Sequence, residues 1–447
     1  AAFRRRREQG SETPFMRSLQ NMTATPCWLA IRFPHLALDP YTRGQSGRQV
    51  AIAVSDLIER RELIIDCNPP ALAGGIKPGM PAMVAPGILD GLRVVKRDGN
   101  AEQAALRRLA GWCYQYSSQV CIPQNRASLF IEAGASERLF GRPEALGKRL
   151  EQELAQLGYH TITGSALTPE AAWLAGGEGL HGIGRGQLRR QLGSLPLDRL
   201  HLDEPQRVAM ERMGFQRLCD LLRLPRKALT RRFGPALPDY LDRLLGSSPD
   251  PRKLYQPPQA FSSRLELPAE IHACQALLFP LKRLLAELCG VLRGGDSAVQ
   301  SLVVTLGHED HADSLLNVGL QSPTRSPGHL LTLLRERLER LRLPGAVREI
   351  QLQAPKLLTF NAGQHTLFRD TPAEQRQDIE QLAERLQARL GSESVSGLTG
   401  VEDHRPEYSW RRRALNEPPD CAPLAHRPAW LLPRPRRCSI EHYEILA

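Results

Sequence analysis

Between Phe261 and Gln353 the apolar residues keep switching period, and few folds accommodate the order in which they do so. Residues 261–267 alternate as a strand does. Leu277, Leu281, Leu284, Leu288 and Leu292 then recur at helical spacing, which predicts a long helix over 269–292. Alternation returns at 299–306 and 314–320, a second helix is expected at 328–342, and 347–353 closes as a strand. The order β-α-β-β-α-β makes a four-stranded antiparallel sheet with both helices on one face. The other face stays open for a partner.

The chain ahead of this unit mixes strands and helices. Short apolar strands are expected at Trp28–Phe33, 50–54, 63–68, 128–132 and 160–166, with helices over 101–116, 143–157 and from 169. The Gly/Pro-rich run 71–85 lacks a following Gly-Lys-Ser or Gly-Lys-Thr, so it reads as a turn and not a phosphate loop. With 447 residues the chain should divide into two to four domains of α/β and α+β type. Nine cysteines without CxxC spacing predict neither zinc nor disulfides, hence a reducing cytoplasm. Residues 1–22 read as a disordered tail, and no apolar run is long enough to span a membrane.

From Leu195 to Gly246 the pattern becomes helical and basic. Residues 213–234 predict two short helices and a tight turn, the layout of a helix–hairpin–helix whose amides can hold a DNA phosphate. Arg226, Lys227, Arg231 and Arg232 are the candidate DNA contacts. The net charge of +11 and pI near 9.4 suit a polyanionic partner. Residues 247–259 form a proline-rich linker.

This succession resembles the Y-family translesion DNA polymerases. The resemblance implies palm and fingers over 23–185, a helical thumb over 186–246, the linker at 247–259, a little finger over 260–356 and an extended C-terminal region over 357–447. In active members the first strand ends in Asp-x-Asp, where this chain has Arg32 and Pro34. A second hairpin presents Asp-Glu, where it has Ala127 and Ser128; the lysines of a later motif fall at Pro169 and about Trp173. Two-metal nucleotidyl transfer needs those carboxylates, and an arginine in their place repels a divalent ion. The pattern is thus similar to the catalytically inactive ImuB-type (UmuC/DinB-like) homologues of the bacterial mutasome, with no catalytic residue, metal or cofactor expected.

That resemblance implies an adaptor joining the sliding clamp, a RecA-like accessory protein and an error-prone C-family DNA polymerase in the response to DNA damage. Gln364-His365-Thr366-Leu367-Phe368 resembles a clamp-binding peptide, with Gln364 hydrogen-bonding and Leu367 and Phe368 filling an apolar pocket. Residues 401–407 and 427–435 resemble the family's C-terminal signatures, and Trp430, Leu431 and Leu432 are a candidate docking island. Beyond Pro355, regular structure is expected to fade, apart from a helix over 373–390 with Ile379, Leu382, Leu386 and Leu390 on one stripe. The competing reading is a divergent active polymerase that uses Asp56, Asp66 or Glu132 as metal ligands. A third is a simple DNA-binding repair factor without a clamp partner.

Overall fold

The computed structural model describes residues 26–44, 50–124, 126–360, 372–391, 393–401 and 405–414. The tail 1–22, the clamp-like peptide at 364–368 and the Trp430–Leu432 island lie outside the described residues, as does part of the 401–407 signature.

The first strand, β1 (Trp28–Arg32), runs between two antiparallel neighbours and is apolar because both of its faces are covered. A three-stranded sheet follows in which β2 (Ile52–Ile58) pairs antiparallel with β3 (Arg61–Cys67) and parallel with β4 (Arg93–Lys96). Next come α1 (Gly99–Cys113), β5 (Val120–Cys121), β6 (Ser128–Glu132), α2 (Pro143–Gln156), β7 (Ile162–Ala166) and α3 (Pro169–Gly177). The sheet order is β5-β6-β1-β7. Leu29, Ile31 and Phe33 point to the side carrying α1 and α2, whereas Ala30 and Phe130 face α3. Glycine lets α3 lie close to the sheet: a Cβ on Gly164 of β7 would stand 2.0 Å from the Gly176 amide nitrogen.

Five helices make the basic stretch: α4 (Arg185–Leu192), α5 (Glu204–Arg212), α6 (Leu218–Leu222), α7 (Arg226–Phe233) and α8 (Ala236–Leu244). Leu218, Leu221, Leu229, Leu237, Leu241 and Leu244 share a core with Ala171, Leu174 and Ala175 of α3, so this helical layer sits on the α3 side of the first sheet. Thr168 fastens the two. Its hydroxyl caps α3 by accepting from the Ala171 amide and donates to the Leu244 carbonyl at 2.8 Å.

The third unit shows the β-α-β-β-α-β order: β8 (Phe261–Ile271), α9 (Leu278–Gly294), β9 (Ser297–His308), β10 (Ser314–Thr324), α10 (Pro327–Arg340) and β11 (Val347–Ala354). The strands pair antiparallel as β10-β9-β11-β8. One boundary differs from the sequence expectation. Residues 269–271 continue β8, because Ile271 still pairs with Val347, and α9 begins only at Leu278. A second expectation also needs correcting, since regular structure persists beyond Pro355. Besides the helix expected over 373–390, which is present as α11 (Pro372–Leu390) packed on α10 and β10, Leu358–Thr359 pairs with β9 and Gly397–Gly400 pairs with Trp410–Arg413.

The third unit is joined to the first through helix packing. A Cβ on Gly290 of α9 would fall 1.9 Å from the Trp112 ring of α1, so glycine is what allows the two helices to touch. Beside them Glu287 is fully buried. It receives Arg43 Nη2 at 2.7 Å, Arg108 Nε at 3.0 Å and the Ser263 hydroxyl at 3.0 Å. Arg43 spends its other donors on the Leu157 carbonyl and the Tyr159 hydroxyl. Burial opposes the Glu287 charge, but Arg43 and Arg108 outweigh it and hold the carboxyl down at about 2.

Candidate functional site at the end of the first sheet

Arg32 is the last residue of β1, and its register partner is Ser128 of β6. Phe33 donates its amide to the Ala127 carbonyl at 2.9 Å, so the strand ends carrying Arg32 and Ala127–Ser128 lie side by side. The four positions noted in the sequence therefore gather at one edge, each in its own environment. Pro34 and Ala127 are exposed; Ser128 is buried, and its Oγ finds no hydrogen-bond partner.

The Arg32 side chain extends across α3. Its guanidinium carbon sits 4.2 Å from the Trp173 ring centroid, and Nη1 approaches the Trp173 carbonyl at 3.4 Å. The guanidinium also lies against Gly177, the last residue of α3, where unpaired carbonyls at a helix end carry partial negative charge that favours a cation. Arg126 stacks on the same indole at 4.7 Å. Each such contact contributes about 0.5–2 kcal/mol, the larger figure applying where water is excluded. Burial depresses the Arg32 pKa from the ordinary guanidinium value, and the neighbouring Arg199 and Arg126 charges act in the same direction.

Arg126 reaches on to Glu170 in the first turn of α3, with Nη1 2.9 Å from Oε2. Arg252, from the linker, takes Oε1 at 2.8 Å, holds Asp250 at 2.6 Å and lies over the Phe130 ring. Burial works against the Glu170 charge, yet Arg126 and Arg252 keep its carboxyl below the usual range. The result is a continuous relay from Arg32 through Trp173, Arg126 and Glu170 to Arg252. Trp173 was visible in the sequence only as a departure from a lysine. Arg126, Glu170 and Arg252 gave no signal, because their partners lie 44 and 82 residues apart along the chain.

The three carboxylates of the competing reading do not converge. Glu132 pairs with Trp28 at the far end of the strands, roughly 13 Å from Ser128 at the usual rise per residue. Its oxygens accept from the amides of Cys27, Gly134 and Ala135. Asp66 holds His35 and the Cys67 amide, and Asp56 is bonded to Arg97.

Of the candidate DNA contacts, Arg226, Lys227, Arg231 and Arg232 all stand exposed on α7. Arg226 is engaged within the protein by Asp239 (2.6 Å) and Asp242 of α8.

Residues 36–177 match the model of the impB/mucB/samB family. The chain carries an impB/mucB/samB-family domain. It spans the three-stranded sheet, the strands β5, β6 and β7 and all of α3, including Glu170 and Trp173. Across a longer stretch the chain is similar to protein ImuB of Caulobacter vibrioides, strains NA1000 / CB15N and ATCC 19089 / CIP 103742 / CB 15. The identity to each is 28% over 366 residues, covering 81% of this chain and 80% of the relative. Among solved structures, a Dbh–Dpo4 Y-family DNA polymerase chimera and DinB of Sulfolobus solfataricus align at 16% and 18% identity. Each covers 75% of this chain and all of the other, with a TM-score of 0.40. Among the described residues, no helix is long and apolar enough to cross a membrane.

Proposed function

We propose that the chain is a non-catalytic adaptor of DNA-damage-induced mutagenic translesion synthesis, working in the cytoplasm. In this reading residues 23–185 are a palm and fingers, 186–246 a thumb, 260–356 a little finger, and 357–447 a partner-binding region. It contacts DNA and links the sliding clamp, a RecA-like accessory protein and an error-prone C-family polymerase. The similarity to ImuB supports the family role, and one observation carries the non-catalytic part: Arg32 stacks on Trp173 at the strand end where an active member would hold a metal-binding carboxylate. A cation fixed there by an aromatic face and a helix terminus opposes binding of a second cation.

Two measurements test this. Purified chain given magnesium, primer–template and all four nucleotides should not extend the primer; extension abolished by Glu132→Ala would restore the polymerase reading. Clamp affinity should be lost when Gln364, Leu367 and Phe368 are all changed to Ala, and an unchanged affinity would remove that peptide from the proposal. Trp430, Leu431 and Leu432 are the proposed dock for a second protein partner.

A further inference from the structure

A cavity of about 400 Å³ opens where α3, α8 and the linker meet, and its wall includes Arg126, Glu170, Tyr240, Arg243, Asp250 and Arg252. This is the size range of small-ligand sites. Its two carboxylates are already occupied. Both Glu170 oxygens are held by Arg126 and Arg252, and Asp250 is held by Arg252. Two donors are left over. Arg243 makes no ion pair among the described residues, and the Tyr240 hydroxyl, buried against the cavity with its oxygen beside the His201 amide, has no acceptor for its proton. A buried, unmade hydroxyl bond costs about 1–3 kcal/mol, so such a group usually marks the place of a missing partner. The wall carries three arginines against two carboxylates, and Arg32, close enough to Arg126 to feel its charge, adds to the positive field.

We propose that this cavity binds a phosphate group, free or at a nucleic-acid strand, through the Tyr240 hydroxyl, the Arg243 guanidinium and the unused N–H groups of Arg126, without a metal ion. The phosphate oxygens accept all of these bonds. An arginine fork and a phenolic hydroxyl suit a tetrahedral oxyanion, and bonds to a charged acceptor are the stronger kind. The inference stands on the donors of the cavity and holds whether or not the chain acts as an adaptor.

The test uses the full chain in EDTA, titrated separately with inorganic phosphate, a 5′-phosphorylated oligodeoxynucleotide and the same strand ending in a hydroxyl. Tyr240→Phe and Arg243→Gln both leave the Arg126–Glu170–Arg252 relay intact. Saturable phosphate binding is expected, at least about tenfold weaker in each variant, with unfolding midpoints no lower than that of the wild type. Competition by the phosphorylated strand alone supports a terminal phosphate, and competition by both strands supports a backbone phosphate. Absence of saturable binding to all three probes overturns the proposal, as does wild-type affinity in both variants.

Discussion

Two glutamates in this molecule are each gripped by a pair of arginines, and the two clusters behave differently. Glu287, at the seam between the first and third units, is completely buried; Arg43 is nearly so, and each of its three guanidinium nitrogens has a partner. Glu170, at the edge of the first sheet, is similarly held, but its arginines border a cavity and one of them also lies on an indole. The seam is closed chemistry: charges that satisfy one another and fix how two units meet. The sheet edge has donors to spare. A buried ion pair alone is therefore no sign of function, and what distinguishes the second cluster is the hydroxyl and guanidinium left unmatched beside it.

The largest expected effect comes from breaking the closed cluster. Glu287→Gln leaves Arg43 and Arg108 facing a neutral amide out of reach of water, and it should cost about 3–5 kcal/mol. Denaturant unfolding measures this, and faster proteolysis within 247–259 should accompany it as the third unit loosens. The wild-type contribution also has a pH signature. Because the folded carboxyl is depressed, its stabilisation is complete above the ordinary carboxylate value and is lost as pH falls towards about 2. A Glu287→Gln protein that unfolds like the wild type would show that the seam is held by helix packing alone. Glu170→Gln should cost less, about 1–3 kcal/mol, because Arg126 keeps the Trp173 face and the cavity admits solvent to both arginines. Equal losses in the two variants would erase the distinction between the clusters.

Much of this architecture is legible in the sequence, and the clusters are not. Continuous apolar runs suffice to locate β1 and β6, whose two faces are both covered, and leucine spacing locates α9, which buries one repeating set of side chains. The boundary at 269–271 was missed because strand pairing with Val347, not local pattern, decides it. The stripe on α11 shows a different limit. Ile379, Leu382, Leu386 and Leu390 have helical spacing, yet they face outward, while Glu384 and Ala388 on the opposite side pack inward. Periodicity reveals a stripe but not what covers it. Arg43 and Glu287 are separated by 244 residues, and Arg252 lies in a segment that reads as a spacer, so only the folded chain brings out their roles.

A carboxyl next to the seam sharpens the comparison further. Asp39 is buried near Arg43, whose three guanidinium nitrogens each bond to another group, and its Oδ2 has no partner. Burial pushes its carboxyl up to about 8, against which His35 and Arg43 act only in part. Between the ordinary carboxylate value and about 8 the folded chain holds a proton that the unfolded chain has released, so stability should fall as pH rises across that window. Asp39→Asn removes the titration. It should raise the melting temperature at pH 7 and flatten the pH dependence between 5 and 8, both read by thermal scans over a pH series. An unchanged slope would mean that Arg43 retains enough attraction to ionise Asp39.

The smallest effect is expected where a charge pair lies in water. Arg226 joins Asp239 and Asp242 much as Arg252 joins Glu170 and Asp250, but its side chain is 56% exposed where that of Arg252 is 17%. Solvent screens the exposed pair and the side chains lose rotamer freedom in making it, so Arg226→Ala should change stability by no more than about 1 kcal/mol. The substitution lowers the local charge by one and leaves the two carboxylates of α8 unpaired beside Lys227, Arg231 and Arg232 of α7. DNA affinity should accordingly fall, with a shallower dependence on salt, in a protein that unfolds almost as before. Loss of stability without loss of affinity would reverse the assignment and make Arg226 a structural brace between α7 and α8.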